Sequence, residues 1–259
     1  MRNCIILGSG RSGTSMLAGS LAAAGYFMGD DLYPGRASNP KGFFEGPQIN
    51  GLNEALLGPV VPAEQGLGQW QLWLAQLDSC QGIEVTPEIA LGIAEMVQRE
   101  PFCFKDPRFS YTAAAWLPFL RNTAWICVFR EPGFTAASIV RECSEMPYLS
   151  GVRMDLSRAL DIWSAIYRAV LSLRSVLFEI IFVHYSQVID GSGLTRISRL
   201  LDAPVDGTFA DSRLSRARSI LPVPPQTMSL YRELCERAGF LPSPVTAEAV
   251  FDASTHSSP

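Results

Sequence analysis

The sequence predicts an α/β fold in which helices cover both faces of a central parallel sheet, giving three layers. Short apolar runs alternate along the chain with longer stretches whose apolar residues recur at helical spacing. The first apolar run leads directly into a glycine-rich segment that opens a helical stretch. In addition, 259 residues with 47% hydrophobic content are enough to bury a sheet on both faces.

Four short runs are predicted to form the strands. Each is mainly apolar and ends at glycine or at charged and polar residues, which is typical of strands buried in a parallel sheet. In chain order they cover residues 3–7, 102–104, 124–129 and 179–183. The second run continues into Lys105 and is broken by Pro107, whereas the third stops at Arg130.

Helical stretches are predicted between these strands from the spacing of their apolar residues. They follow the glycine-rich segment as far as Gly25, resume after Gln48, recur over 87–99, 134–141 and 156–177, and end with an amphipathic helix at 229–238. Residues 34–47 are dense in glycine and proline, so we expect an exposed, irregular segment there. Segments of this kind often carry functional groups on a rigid scaffold.

Composition narrows the class of protein. We interpret residues 1–251 as a single domain and 252–259 as a disordered tail. A net charge of −4 argues against a protein that coats nucleic acid. No apolar run has the length of a membrane span and no signal peptide precedes the first strand, so a cytoplasmic location is predicted. With two histidines and no Cys-x-x-Cys pair, no metal site is expected. The sequence contains no pattern that indicates an oligomeric state.

The glycine-rich segment reads GSGRSGTS over residues 8–15. Its glycines allow backbone N–H groups to converge on one oxyanion, and the following helix N-terminus adds partial positive charge. The spacing Gly8-x4-Gly13 fits the nucleotide P-loop, but Thr14 stands where that loop has lysine. A conventional kinase or ATPase would therefore lack the lysine that reaches the β and γ phosphates.

The cation stands instead at Arg11, and the run RSGTS over residues 11–15 closely resembles the 5′-phosphosulfate loop of sulfotransferases that use 3′-phosphoadenosine 5′-phosphosulfate (PAPS). The resemblance implies a P-loop-like fold and transfer of a sulfuryl group from PAPS to a hydroxyl or amine, with adenosine 3′,5′-bisphosphate (PAP) as product and no metal. It also implies that the loop holds the donor. The residues concerned are Gly10, Arg11, Ser12, Gly13, Thr14 and Ser15.

The glycine spacing also fits the GxGxxG fingerprint of dinucleotide-binding proteins. That interpretation is weakened because no acidic residue closes a second strand about 20 residues later, where ribose binding would need one.

The same resemblance implies a second anion site for the 3′-phosphate. The family has an arginine at the end of the third strand and a serine on the next helix, and this chain has Arg130 and Ser138 there. Alternatively, Arg130 pairs with Glu131 or Glu142. Tyr185, at the end of the fourth strand, resembles the tyrosine that the family presents to the nucleotide. The family's later Arg-Gly segment is not recognisable.

Arg213 and Arg216 are the candidates for late phosphate contacts, in place of the missing Arg-Gly segment.

Sulfuryl transfer resembles phosphoryl transfer, so the protein has to position the reactants and neutralise charge on the leaving oxygen. Arg11 is expected beside the leaving 5′-phosphate. Lys105 aligns with a strand lysine that related enzymes direct at the sulfuryl oxygens, although it could instead pair with Asp106. For the base that takes the acceptor proton, Glu45 is the first candidate and Asp106 the second, since a Gly-aromatic-aromatic-Glu segment similar to residues 42–45 occurs in many bacterial sulfotransferases.

The acceptor is expected to be a small molecule, a glycan or a lipid. Five aromatic side chains could line an apolar acceptor pocket, namely Phe43, Phe44, Trp70, Trp73 and Tyr148. Two competing functions remain open at this point: a P-loop kinase of a small molecule, and a nucleotide-binding protein without catalytic activity.

Overall fold

The computed structural model describes residues 1–36, 39–173, 177, 179–209 and 222–242. Its core is a sheet of four parallel strands in the order β2-β1-β3-β4. The strands are β1 (Asn3–Leu7), β2 (Cys103–Lys105), β3 (Thr123–Phe129) and β4 (Ile180–His184). All four lie where apolar runs predicted them, and the predicted α/β fold class is confirmed.

The described helices flank this sheet. They are α1 (Thr14–Ala23), α2 (Pro47–Leu57), α3 (Pro87–Met96), α4 (Phe109–Trp116), α5 (Pro132–Glu145), α6 (Leu156–Ser172), α7 (Tyr185–Ile189), α8 (Leu194–Leu201) and α9 (Pro225–Ala238). The sequence did not predict α4, α7 or α8. Pro107 was interpreted as the residue that breaks the second strand, and β2 does end before it. It also lies in the turn that starts α4, where the Phe109 N–H donates to the Asp106 carbonyl at 3.0 Å.

The sheet separates two apolar clusters, which makes the three layers. In β1, Ile5 and Leu7 face one cluster while Cys4 and Ile6 face the other, as the two-residue period of a strand requires. Helices α2 to α6 and α9 supply residues to the first cluster, and α1 and α8 supply residues to the second. Each fully buried Leu or Ile contributes roughly 1.5–3 kcal/mol, so this two-sided burial fixes the strand register.

Parallel pairing brings the carboxyl ends of all four strands to one edge of the sheet. Ile6 pairs with Lys105 and Phe129 pairs with His184. Residues 8–13, Arg130 and Tyr185 therefore follow strand ends at that edge, where Lys105 is the last residue of β2. Ligands of open α/β sheets bind at such an edge. In the described part of the chain, no helix is both long and apolar enough to cross a membrane.

Candidate active site

Three hydrogen bonds connect the glycine-rich loop to helices α4, α5 and α6. The Gly8 N–H donates to Ser110 Oγ at 3.2 Å and the Ser9 N–H donates to Tyr167 Oη at 3.3 Å. Ser12 is buried, and its Oγ lies 3.4 Å from Thr135 Oγ1 on α5. These contacts hold the loop against α4, α5 and α6.

The upper side of the loop is built to receive an anion. Helix α1 starts at Thr14, which is buried, and no described side chain caps its N-terminus. The first N–H groups of a helix have no partner within the helix, so they offer converging donors to an oxyanion. Arg11 has a left-handed backbone with φ of 69°, a conformation that L-residues adopt at a cost and that is often found at functional sites.

Arg11 is held by two residues of α5. Its Nε donates to Ser138 Oγ at 3.1 Å, and its Nη1 lies 3.4 Å from Glu142 Oε2. Ser138 and Glu142 are four residues apart, so they share one face of α5. The sequence prediction placed Ser138 near the donor but did not connect Glu142 with Arg11, although the i, i+4 spacing is a signal that could have shown it.

Lys105 connects the loop to the irregular segment that carries Glu45. Its side chain is only 2% exposed, and its Nζ donates to Glu45 Oε1 and, at 3.3 Å, to Ser15 Oγ. The Glu45 side chain is 15% exposed. The alternative in which Lys105 pairs with Asp106 is therefore not the arrangement observed: its carboxylate partner is Glu45.

Asp106 is completely buried, and described residues occupy both of its carboxylate oxygens. Oδ1 accepts from the N–H and the Nη1 of Arg108, both at 2.9 Å. Oδ2 accepts from Asn50 at 2.9 Å and from Asn53 at 3.0 Å. With these partners, Asp106 supports its neighbours and is not among the residues that line the cavity beside the loop, whereas Glu45 is.

Arg108, which the sequence did not single out, anchors one wall of the site. Its side chain is 3% exposed, and its Nε donates to Glu54 Oε1 at 2.6 Å. Burial on its own would lower the pKa of Arg108, but the carboxylates of Asp106 and Glu54 more than offset it, and the pKa is raised. Glu54 also accepts from the Trp70 N–H at 2.8 Å, so this charged pair fixes the backbone of the Trp70 segment.

Asn50 joins the two carboxylates of the site. Its Nδ2 donates to Glu45 Oε2 at 3.2 Å and to Asp106 Oδ2 at 2.9 Å. The opposite amide orientation would set its oxygen against two carboxylates, so the assignment follows from chemistry. Its Oδ1 is buried and has no partner among the described residues. An asparagine in the middle of a helix gives no sequence signal, and this residue was missed.

Arg130 and Tyr185 form the other side of the loop. The Arg130 guanidinium lies 4.2 Å from the centre of the Tyr185 ring, within cation–π distance. A Cβ atom on Gly13 would lie 2.4 Å from Tyr185 Cδ2, so the ring packs directly against the loop. Burial lowers the pKa of Arg130, and the Arg11 cation contributes in the same direction. Two cations are thus concentrated near the loop, which favours a ligand with more than one anionic group.

A cavity of about 300 Å³ opens beside the loop. Of the five predicted aromatic residues, four line it: Phe43, Trp70, Trp73 and Tyr148. Phe44 does not, because its ring packs edge-to-face on Phe209 at 5.3 Å. The other residues that line the cavity are Gly10, Arg11, Thr14, Ser15, Tyr33, Arg36, Glu45, Asn50, Lys105, Pro107, Arg108 and Glu142.

Gly10 of the loop and the aromatic residue Trp73 meet at the wall of this cavity. Gly10 lies under Trp73, so close that a Cβ atom at Gly10 would be 2.7 Å from the indole.

Phe44 has a left-handed backbone with φ of 55°, while its neighbours Phe43 and Glu45 both line the cavity. The strained residue thus lies between two side chains that belong to the site.

His184 has a structural role. Its Nδ1 accepts from the Ser186 N–H at 3.1 Å, its Nε2 lies 3.2 Å from Tyr231 Oη, and its ring stacks on Phe240. Burial, assisted by the Arg130 cation, lowers the pKa of His184 to about 3, so the ring is neutral at ordinary pH. Within the described residues, no group of His, Cys, Asp or Glu is arranged to hold a metal ion.

Arg213, Arg216 and the predicted tail at 252–259 lie outside the described residues.

Comparison with known proteins identifies relatives of this fold. The structure is similar to the sulfotransferase domain from the curacin biosynthetic pathway, with a TM-score of 0.53 and 14% identity over 93% of this chain and 99% of that chain. It is also similar to the sulfotransferase domain from the Synechococcus PCC 7002 olefin synthase, with a TM-score of 0.50 and 19% identity over 93% of this chain and 95% of that chain. No protein-family model matches the chain, and no curated protein is similar in sequence. The chain therefore has the fold of sulfotransferase domains.

Proposed function

We propose that the protein is a sulfotransferase that moves a sulfuryl group from PAPS to a hydroxyl or amine of a small molecule, a glycan or a lipid. The observation that carries the proposal is the meeting of Lys105, Glu45 and Ser15 beside the anion loop. A buried cation and a partly accessible carboxylate face one cavity there, while the loop itself has Thr14 in place of the lysine that a kinase uses.

The donor would be held at two anion sites. The N-terminus of α1 and Arg11 would bind the 5′-phosphosulfate, and Arg130 with Ser138 would bind the 3′-phosphate. The contact between Ser138 and Arg11 is compatible with this role. A hydroxyl has one proton and two lone pairs, and the Arg11 Nε uses one lone pair, so the proton of Ser138 can still be donated to a phosphate oxygen.

The residues of the cavity then act on the reacting groups. PAPS supplies the sulfuryl group, whose bond to the 5′-phosphate oxygen breaks as the acceptor oxygen or nitrogen bonds to sulfur. Glu45 accepts the acceptor's proton, and Lys105 neutralises charge on the sulfuryl oxygens. Arg11 neutralises charge on the leaving phosphate oxygen. Because Lys105 already contacts both Glu45 and Ser15, it needs only a small displacement to leave Glu45 for an anion at the loop.

A transfer assay tests this proposal. Wild-type protein, supplied with ³⁵S-labelled PAPS, EDTA and a panel of aryl and alkyl alcohols, should produce labelled sulfate esters. Lys105→Met should lower kcat by about 10²-fold or more, because a cation directed at the developing charge is lost. Magnesium-dependent phosphate transfer from ATP, without transfer from PAPS, would contradict the proposal and favour a kinase.

A further inference from the structure

We propose that the acceptor carries an oxyanion, such as a carboxylate or a phosphate, and that Arg36 binds this group at the rim of the cavity. The inference rests on the proposed function and names the substrate class of the same site. It assigns Arg36 to acceptor specificity, whereas other cations bind the donor and neutralise the charge that develops during transfer.

Four cationic side chains of the described residues line the cavity. Three of the four have carboxylate partners: Arg11 pairs with Glu142, Lys105 with Glu45, and Arg108 with both Glu54 and Asp106. The fourth is Arg36. Among the described residues, no carboxylate lies within 4.0 Å of its guanidinium. Within the described part of the chain, Arg36 is therefore the cavity cation that has no carboxylate ion-pair partner.

Aromatic rings and backbone hydrogen bonds position Arg36. Its guanidinium lies 5.9 Å from the centre of the Phe43 ring and 5.6 Å from that of Tyr148, two rings that line the same cavity. The Arg36 backbone also exchanges hydrogen bonds with Asn39, at 3.1 Å and 2.8 Å. Both ring distances are within cation–π range, so the two rings attract the Arg36 cation to the cavity. The planar edge of the guanidinium carries the N–H groups that bind a carboxylate or phosphate in bidentate fashion.

Arg36 lies closer to solvent than the groups that are proposed to react. Arg36 is exposed, whereas Lys105 is 2% exposed, so Arg36 lies at the rim of the cavity and Lys105 at its floor. Trp70, Trp73 and Tyr33 line the wall. An acceptor that occupies this space meets Glu45 with its hydroxyl, aromatic surfaces with its apolar body, and Arg36 with its other end. A hydroxy acid has this arrangement of groups.

The size of the cavity restricts the acceptor further. A volume of about 300 Å³ is at the lower limit of ordinary small-molecule sites, so the part of the acceptor that is enclosed is small. We therefore expect short aryl or alkyl hydroxy acids to be the best probes.

Binding measurements on wild-type protein saturated with PAP test the inference. The probes are hydroxyalkylbenzoates of increasing alkyl length, each compared with its neutral methyl ester, and the corresponding hydroxyalkyl phenyl phosphates. For at least one length, the free acid should bind about 10-fold more tightly than its ester. Arg36→Gln should abolish this difference without changing the affinity for the ester, and Arg36→Lys should keep part of it.

Arg99→Gln is the matched control. Arg99 is also exposed, and its guanidinium also lies within cation–π distance of an aromatic ring, 4.2 Å from the centre of Phe27. However, Arg99 pairs with Asp30 and does not line the cavity. Its replacement should leave the preference for the acid intact. The phosphate series shows which oxyanion Arg36 prefers, because the preferred group should bind more tightly than the other at the same alkyl length.

The two proposals fail in different ways. If the protein does not bind PAP, the proposed function itself fails. If PAP binds but neither the acids nor the phosphates bind more tightly than the neutral esters at any length, the inference about Arg36 is overturned and the sulfotransferase proposal stands. A preference for acids that persists in Arg36→Gln would also overturn it.

Discussion

At the scale of single residues, Glu45 is both oriented and accessible. Lys105 holds Oε1 and Asn50 holds Oε2 at 3.2 Å, yet the side chain keeps some exposure to the cavity. Asp106 lacks that exposure, because it supports Arg108 and Asn50 from below. The two carboxylates therefore differ in their surroundings: Glu45 lines the cavity, whereas Asp106 is enclosed by its hydrogen-bond partners.

We predict that Glu45→Gln lowers kcat by about 10²-fold or more, because the amide cannot accept the acceptor proton. Donor binding should be retained, since Glu45 is not among the proposed donor contacts. Transfer kinetics with ³⁵S-labelled PAPS and calorimetry with PAP measure the two effects. Glu64→Gln, at an exposed acid outside the cavity, is the control. Unchanged turnover in Glu45→Gln would exclude Glu45 as the base.

We predict that Arg130→Ala weakens PAP binding by about 10- to 100-fold and AMP binding by less than about 3-fold, since only PAP carries the 3′-phosphate. Calorimetric titrations of both nucleotides provide the comparison. Arg141→Ala, at an exposed arginine on α5, should leave both affinities unchanged. Equal losses for the two nucleotides would reject Arg130 as the 3′-phosphate site.

At the scale of elements, the sequence was most informative where one physical signal dominated. Buried parallel strands are short apolar runs, and each of the four was predicted to within two residues of its ends. Helix α7 has only five residues, too few for a clear period, and α4 was hidden by Pro107. Helix α8 does have apolar residues at helical spacing, Leu194, Ile197 and Leu201, and this signal was overlooked. The loop was found because its glycines and polar residues are contiguous.

The contacts that complete the site could not be predicted in the same way. The pair of Lys105 and Glu45 joins residues 60 positions apart and depends on the path of an irregular segment. The contact between Arg11 and Ser138 spans 127 positions. Such pairs follow from tertiary packing, which residue spacing along the chain does not encode.

We predict that the close packing of the loop against Tyr185 can be tested with two glycine substitutions. Gly13 and Gly25 have similar backbones, with φ of 93° and 96°, so alanine at either should cost about 1–2 kcal/mol of stability. A Cβ atom at Gly25 meets open space, whereas one at Gly13 meets the Tyr185 ring. Only Gly13→Ala should also weaken PAP binding, by about 10-fold or more. Equal PAP affinity in the two variants would contradict the proposed donor site.

At the scale of the whole molecule, parallel pairing places the ends of all four strands at one edge, and each end supplies a residue or loop to the candidate site. The same pairing buries His184 next to the site as a neutral ring. Burial of a neutral histidine links folding to pH. The unfolded chain takes up a proton below pH 6.5 that the folded His184 refuses until about pH 3.

We predict that this linkage makes the protein less stable as the pH falls from 6.5 towards 3. Between about pH 7.5 and pH 5.5, the contribution of His184 should be a loss of about 1.4 kcal/mol in the free energy of unfolding. Urea unfolding at both pH values, for wild type and His184→Gln, measures it. The variant should lose less stability than wild type over this interval; equal losses would mean that His184 titrates normally in the folded protein.

The most direct test of the central claim is calorimetric binding of PAP, compared with ATP and NAD, in the absence of metal. We expect tight binding of PAP and weak or no binding of the other two, because Arg11 and Arg130 would provide separate sites for the 5′- and 3′-phosphates and the loop has no lysine for a triphosphate. Binding of ATP or NAD without binding of PAP would contradict the proposed function, and the glycine-rich loop would then belong to a kinase or a dehydrogenase.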